Sequence, residues 1–177
     1  FPDAKVDQIG ETFGKTLQSQ AVLALIFSFI GMAIVIFVSF RTFVPAVAVV
    51  LSAFADMVMT AAMMNIIGIP LSLGTLAALL MLIGYSVDSD ILLTNRVLKR
   101  QGKLNEKLAG AFRTGIIMTS TTLAAASAMF IVAWFGSVLV LMEIATVLLI
   151  GLVFDVMNTW LTNVGILKWY ILKGGGK

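Results

Sequence analysis

The amino-acid sequence predicts an all-α protein, a polytopic membrane bundle of five transmembrane helices. Of its 177 residues, 60% are hydrophobic and 12% are charged, whereas soluble domains contain roughly 45–50% apolar residues. Its five long apolar stretches each suffice to cross a hydrocarbon core of about 30 Å as a helix. A β-barrel is disfavoured, because barrel strands are segments of about 10 residues with alternating polarity.

The predicted helices follow one another with short connections. Residues 1–20 are polar and are expected to form an extracytoplasmic juxtamembrane segment or short amphipathic helix. The second helix is expected to end at Gly68 and Pro70, because proline cannot continue a helix. The expected transmembrane domain, residues 21–167, contains helices at 21–40, 44–67, 73–95, 108–134 and 138–162 and precedes a cytoplasmic tail at 168–177.

The positions of the basic residues predict the orientation in the membrane. Arg41, the basic cluster at residues 96–107 and the lysines of the tail lie on alternate connections, so they share one side, which the positive-inside bias assigns to the cytoplasm. We therefore expect a multi-pass protein of the cell membrane with its N-terminus outside and its C-terminus inside. Because the sequence begins with Phe1 and shows no signal segment, we expect it to start inside a longer gene product.

The composition excludes several classes of chemistry. The sequence contains no cysteine and no histidine, which rules out disulfides, thiol catalysis, zinc sites built on these residues and a Ser-His-Asp triad. No cofactor or metal is expected. The net charge of +3 follows from basic residues that set the topology, so no nucleic-acid partner is needed and membrane lipid is the expected surrounding.

Carboxylates inside the predicted helices are the candidate functional residues. Asp56 and Asp155 fall near the bilayer middle and Asp88 about one turn of 5.4 Å towards the cytoplasm. An ionised Asp at a helix centre costs about 2.5–3.5 kcal/mol, so each must pair, bind a proton or line a wet cavity. Asp88 and Asp90 point about 200° apart, so if Asp88 faces the bundle, Asp90 faces elsewhere. Structural pairing between helices is the competing interpretation.

Two further features bear on these acids. Asp155, Asn158, Thr159 and Thr162 are spaced i, i+3, i+4 and i+7, which predicts one polar stripe facing protein. Arg113 lies in the first turns of the fourth helix, where it is available as a cation partner for an acid or can extend to the headgroups.

The stretch GYSVDSDILLTNR at residues 84–96 resembles the fourth transmembrane helix of SecF, the protein-export membrane protein family. Further similar segments lie at residues 9–17, 55–56, 113–123, 134–136 and 151. The resemblance, closest to an archaeal SecF, implies half of a resistance-nodulation-division superfamily membrane domain, without the first helix and the external domain.

The resemblance also implies partners and site residues. SecF pairs with SecD and works with the SecY translocon on exported unfolded polypeptides, and the pair is thought to use the proton-motive force. SecD carries its proton-linked Asp at the position of Asp88 and bacterial SecF carries it at Ser89, so Asp88 is the leading candidate. The other proton-coupling candidates are Asp90, Arg113, Asp56 and Asp155.

Three other functions compete with this interpretation. One is a proton-coupled exporter half of the same superfamily, and another is a purely structural anchor for SecD. The third, an intramembrane aspartic protease, also needs two membrane acids. The Tyr-Asp and Gly-x-Gly-Asp motifs of that protease class are missing, because Asp56 follows Ala55 and Asp88 follows Val87. We therefore expect no enzymatic activity.

Overall fold

The structure, a computed structural model, describes residues 3–99 and 103–173. The remaining parts of the predicted N-terminal segment, basic cluster and tail lie outside the described residues. Within those ranges the chain is helical and contains no strand. The helices are α1 (Asp3–Phe40), α2 (Phe43–Ile67), α3 (Leu73–Lys99), α4 (Leu104–Gly136), α5 (Leu139–Asn158) and α6 (Val164–Leu172), with a π-helical turn at Thr159–Asn163 between the last two.

Five helical stretches are long and apolar enough to cross a membrane. The fifth runs without a break through α5, the π turn and α6. The predicted all-α bundle of five membrane-spanning helices is confirmed. Helix α1 begins at Asp3 rather than near residue 21, so the polar N-terminal segment and the first span form one helix. The predicted location of residues 1–20 outside the membrane stays a prediction.

The connection between α2 and α3 shows how local sequence ends and starts these helices. Gly68 adopts a left-handed backbone conformation with φ 81° and its N–H donates to Met64 O, an arrangement that glycine favours. Ser72 Oγ then accepts from Thr75 N at 3.2 Å, while Ser72 N donates to Thr75 Oγ1 at 2.7 Å. This reciprocal pair caps α3. Ser72 Oγ also donates to Glu143 Oε2 at 3.3 Å, which joins α3 to α5.

Helix α5 forms the centre of the bundle and packs against α2, α3 and α4, whereas α1 packs on the outside against α2 and α3. Two glycines permit the close approach. A Cβ atom at Gly115 on α4 would lie 2.7 Å from Trp160 Cζ2 of the π turn, and one at Gly151 on α5 would overlap the side chain of Leu82 on α3. Small residues let membrane helices approach in this way.

We call the end of the bundle that carries Arg41, Arg96, Lys103 and Lys107 the basic end. Two of these side chains fasten α3 to α4 there. Arg96 Nη1 donates to Gly110 O, and Lys107 Nζ donates to Val97 O at 3.3 Å. Val97 lies in the last turn of α3, where a cation is favourable, whereas Gly110 lies in the second turn of α4.

Candidate functional site

Three carboxyl groups from three different helices are buried in the middle of the bundle. Asp56 lies on α2, Asp90 on α3 and Asp155 on α5, with 0%, 0% and 1% of their surface exposed. Charged residues are almost never fully buried unless they have partners. We call these three residues the carboxyl cluster, and their partners define what the site can do.

Asp56 is held by groups from α3 and α5. Ser86 Oγ donates to Asp56 Oδ2 at 2.6 Å. Asn158 Nδ2 donates to Asp56 Oδ1 at 3.2 Å and to the backbone carbonyl of Ser52 at 2.8 Å. Asn158 thus connects α5 to α2 twice, so the Asp56 carboxyl joins three helices through neutral donors.

Asp90 receives two hydrogen bonds at one oxygen. Thr159 Oγ1 donates to Asp90 Oδ1 at 2.9 Å, and Asn163 Nδ2 donates to the same atom at 2.7 Å. Thr159 Oγ1 also lies 3.4 Å from Asp155 Oδ1. A hydroxyl has one hydrogen to give, and the shorter distance directs it to Asp90. Thr159 therefore stands between two carboxyl groups and links them.

The π turn brings Thr159 and Asn163 to the side of the helix that faces Asp90. A regular α-helix would continue the polar stripe of α5 from Asp155 and Thr159 to Thr162, because residues at i, i+4 and i+7 share a face. The wider π turn at Thr159–Asn163 shifts the register, so that Asn163 is fully buried against Asp90 and Thr162 is exposed. The expectation that Thr162 faces protein within this chain is wrong for that reason. Single π turns occur often at functional sites.

Asp88 and Arg113 lie apart from the carboxyl cluster. Asp88 is exposed on the outer surface of α3, and Arg113 is exposed on α4. The interpretation in which Asp88 faces the interior of this bundle is therefore wrong, and Asp90 takes that position because the two residues point about 200° apart. The function of Asp88 as a proton-coupling residue stays a prediction.

Two partners of the cluster were missed by the sequence reasoning. Ser86 lies within the GYS motif, one turn before Asp90 on the same helix face, and this spacing could have identified it. Asn163 could not be identified by helical spacing, because its position depends on the π turn.

The arrangement suits binding and release of protons. The hydrogen-bond donors to Asp56 and Asp90 are hydroxyl and amide groups. An ionised carboxyl only accepts hydrogen bonds, whereas a protonated one also donates. A change in the protonation of the carboxyl cluster would therefore change which groups can bond across α2, α3 and α5.

Comparisons with known proteins identify the family of the chain. The family described as "Protein export membrane protein SecD/SecF, C-terminal" matches residues 1–173. The chain belongs to the SecD/SecF protein-export family. This family and the SecF relatives described next confirm the resemblance to SecF found in the sequence.

Individual relatives agree with the SecD/SecF assignment. The chain is 67% identical over 175 residues to a protein-export membrane protein SecF of Methanolacinia petrolearia, covering 99% of this chain and 62% of the relative. It is 51% identical to the SecF of Haloferax volcanii (98% and 61%) and 49% identical to that of Pyrococcus furiosus (100% and 60%). The chain thus spans about three fifths of the length of these SecF relatives. No solved structure gives a significant match.

Proposed function

We propose that the chain is the membrane part of a SecF subunit that pairs with SecD and uses the proton-motive force to assist Sec-dependent export. In this proposal the SecY translocon supplies unfolded polypeptides, and the basic end of the bundle faces the cytoplasm. Family membership supports the export role, and the positive-inside bias supports the orientation.

The carboxyl cluster is the observation that carries the proton-coupling proposal. Three ionised carboxyl groups buried together would repel one another, and each would be costly in a membrane interior. The donors that contact Asp56 and Asp90 are uncharged, so they do not balance that charge. Among the described residues no group of three or more acidic side chains could hold a metal ion, so we infer that protons supply the compensating positive charge.

The cluster is also placed to pass a protonation change on to the helices. Its hydrogen bonds join α2 to α3 through Asp56 and Ser86, and α3 to the π turn after α5 through Asp90, Thr159 and Asn163. A carboxylate that accepts two hydrogen bonds becomes a donor as well when it gains a proton. Its new O–H then needs an acceptor at a place where the neighbouring groups are donors. A shift in helix packing is the expected response, and protonation switches act on such bistable elements.

The exposed face of α3 is proposed as the contact surface for SecD. This face carries Met81, Gly84, Tyr85 and Asp88, which follow helical spacing along one side. A carboxylate facing lipid at this depth costs about 2.5–3.5 kcal/mol. A partner helix that covers Asp88 would relieve that cost, so Asp88 is proposed to act at the boundary between the two subunits.

The test is protein export in cells that carry full-length protein with Asp90→Asn, under imposed and under collapsed proton gradients. We expect assembly with SecD to survive and the gradient-dependent part of export to disappear. Asp88→Asn is the matched variant on the other face of α3. In this variant we expect a weaker association with SecD in addition to the loss of gradient-dependent export. Unchanged gradient-dependent export in both variants would refute proton coupling through these acids.

A structural anchor for SecD is the second candidate, because the hydrogen bonds of the carboxyl cluster also serve to hold three helices together. The same experiment separates the two functions. If the protein is an anchor, Asp90→Asn should reduce export and SecD assembly together. The fraction of export that is lost should then be the same under an imposed and under a collapsed gradient.

A further inference from the structure

Two apolar grooves lie along the outer surface of helix α2. The larger, of about 370 Å³, lies between α1 and α2 and is lined by side chains within residues 25–30 and 54–61. The smaller, of about 110 Å³, lies between α2 and α6, and we call it the α2–α6 groove. Its lining residues are Phe43, Val44, Val47, Ala48, Leu51 and Ile166.

The α2–α6 groove begins at the basic end of the bundle. Phe43 is the first residue of α2, and Leu51 follows it by eight residues, so the groove extends about 12 Å into the membrane span. On the same helix the larger groove begins at Phe54, about 16 Å from that end. Of the two, the α2–α6 groove therefore starts at the depth where lipid headgroups meet the helices.

Helix α6 places a cation and an aromatic ring at the mouth of the α2–α6 groove. Ile166 lines the groove, and residues three and seven positions later lie on the same side of a helix. These residues are Trp169 and Lys173, and both are exposed. Lys173 Nζ lies 4.4 Å from the centroid of the Trp169 ring, a cation–π contact that holds the ammonium group in place. An ammonium group has three N–H donors, so it can bind an acceptor while it contacts the ring.

Arg41 supplies a second cation on the side of α2. It is exposed and lies two residues before Phe43, in the connection between α1 and α2. A long basic side chain keeps its charged group at the membrane surface while its stem lies along apolar residues. The groove thus has a cation on each side of its mouth, whereas its interior is apolar. This combination is complementary to an amphiphile with a negative headgroup.

We propose that the α2–α6 groove binds one anionic membrane lipid, with a hydrocarbon chain between α2 and Ile166 and the phosphate group held by Arg41 and Lys173. Basic pockets between membrane helices bind anionic headgroups, and Trp residues at the membrane edge lie at the headgroup level. A zwitterionic lipid has the same chains but carries a positive charge on its headgroup, so charge complementarity favours the anionic lipid. The site is separate from the carboxyl cluster and does not depend on proton coupling.

Lys168 provides a matched control on the same helix. The face of α6 that packs in the bundle carries Leu167 and Ile171, which contact an apolar cluster with α3 and α4. Ile166 and Lys168 flank Leu167 and point about 200° apart, so Lys168 lies on the opposite side of α6 from the groove. It is exposed, as Lys173 is, and removing either lysine changes the net charge equally.

The experiment titrates full-length protein, copurified with SecD in detergent micelles, with phosphatidylglycerol or with phosphatidylcholine of the same chains. Native mass spectrometry gives the dissociation constant of the first bound lipid. We expect the unmodified protein to bind phosphatidylglycerol several-fold more tightly. Lys173→Gln should lower that affinity about fivefold, the effect of one basic residue near an anionic lipid surface, and Lys168→Gln should leave it unchanged. Equal losses in the two variants would reflect general surface charge and would overturn the site.

A second pair of variants tests the groove itself. Val47→Trp fills the α2–α6 groove with an indole ring, whereas Val58→Trp fills the larger groove on the same helix. We expect the preference for phosphatidylglycerol to disappear in Val47→Trp and to remain in Val58→Trp. A preference that is unchanged in both Val47→Trp and Lys173→Gln would overturn the proposal.

Photocrosslinking identifies the occupant in the membrane. Phe43 and Phe54 are exposed aromatic residues that line the two grooves, and each is replaced in turn by p-benzoylphenylalanine in full-length protein. In vesicles with equal amounts of phosphatidylglycerol and phosphatidylcholine, we expect position 43 to label mainly phosphatidylglycerol and position 54 to label both lipids equally. Attachment of position 43 to SecD, to a second copy or to another segment of the protein would overturn the lipid assignment.

Discussion

Asp88 and Asp90 stand two residues apart on α3, but their surroundings are opposite. Asp90 belongs to an inner polar stripe with Ser86 and Thr94, in which each residue has 0% of its surface exposed. Asp88 belongs to the outer face with Tyr85. The helix face, rather than the motif that contains both acids, decides which carboxyl is buried inside the bundle and which lies on its outer surface.

The comparison also separates the residues on which the stability of the chain depends from those on which its assembly with a partner depends. A residue on the inner face should affect the stability of this chain by itself, because its partners belong to the same chain. A residue on the outer face should affect assembly and leave the stability of the isolated subunit unchanged. Paired substitutions on the two faces can test this distinction.

The largest effect is expected for Asp90→Leu against Asp88→Leu. Leucine at position 90 removes the acceptor of Asn163 and the nearer acceptor of Thr159, which keeps Asp155 Oδ1 at 3.4 Å. A buried donor left unpaired, as Asn163 Nδ2 would be, costs about 1–3 kcal/mol. Leucine at position 88 removes an exposed carboxyl, so no loss of stability is expected. Unfolding of the purified full-length subunit by titration with sodium dodecyl sulfate in mixed micelles measures both. Equal losses in the two variants would contradict the division into faces.

A second pair compares glycines on the two faces. Gly115→Ala places a methyl group 2.7 Å from the rigid ring of Trp160, and such overpacking costs about 1–3 kcal/mol. Gly84 has no atom within 4 Å of an added Cβ, so Gly84→Ala should keep or gain stability, by up to about 1 kcal/mol from helix propensity. The same unfolding titration measures both.

In the glycine pair, copurification with SecD adds an independent reading. If the outer face of α3 is covered by SecD, Gly84→Ala should weaken copurification while the subunit itself remains stable. A destabilised Gly84→Ala subunit would show that this face packs within the chain instead.

Sequence reasoning predicted the fold well because the relevant physics is local. A helix must satisfy its own backbone in a membrane, so uninterrupted apolar length identified the five spans. Gly68 and Pro70 marked the end of the second span correctly. The start of α1 at Asp3 was missed, since hydrophobicity reports where a helix enters the membrane and does not report where the helix begins.

The site was predicted less well, because it depends on rotation about helix axes. Spacing predicted that Asp88 and Asp90 face opposite ways, but it gave no means of choosing the inner one, and the family resemblance favoured Asp88. Interhelical partners such as Ser86 for Asp56 depend on packing that one sequence does not reveal. The π turn adds a local change of register that hydrophobic periodicity, with its fixed period of 3.6 residues, does not anticipate.

The smallest effect tests that register directly. Asn163→Ala removes the hydrogen bond from Nδ2 to Asp90, and interhelical hydrogen bonds in membranes contribute on average about 0.6 and at most about 1.7 kcal/mol. Thr162→Ala removes a hydroxyl from an exposed position and should leave the unfolding titration unchanged. The reverse result, a loss at Thr162 and none at Asn163, would mean that the helix continues with regular α spacing past Thr159. Asp90 would then lack its second donor.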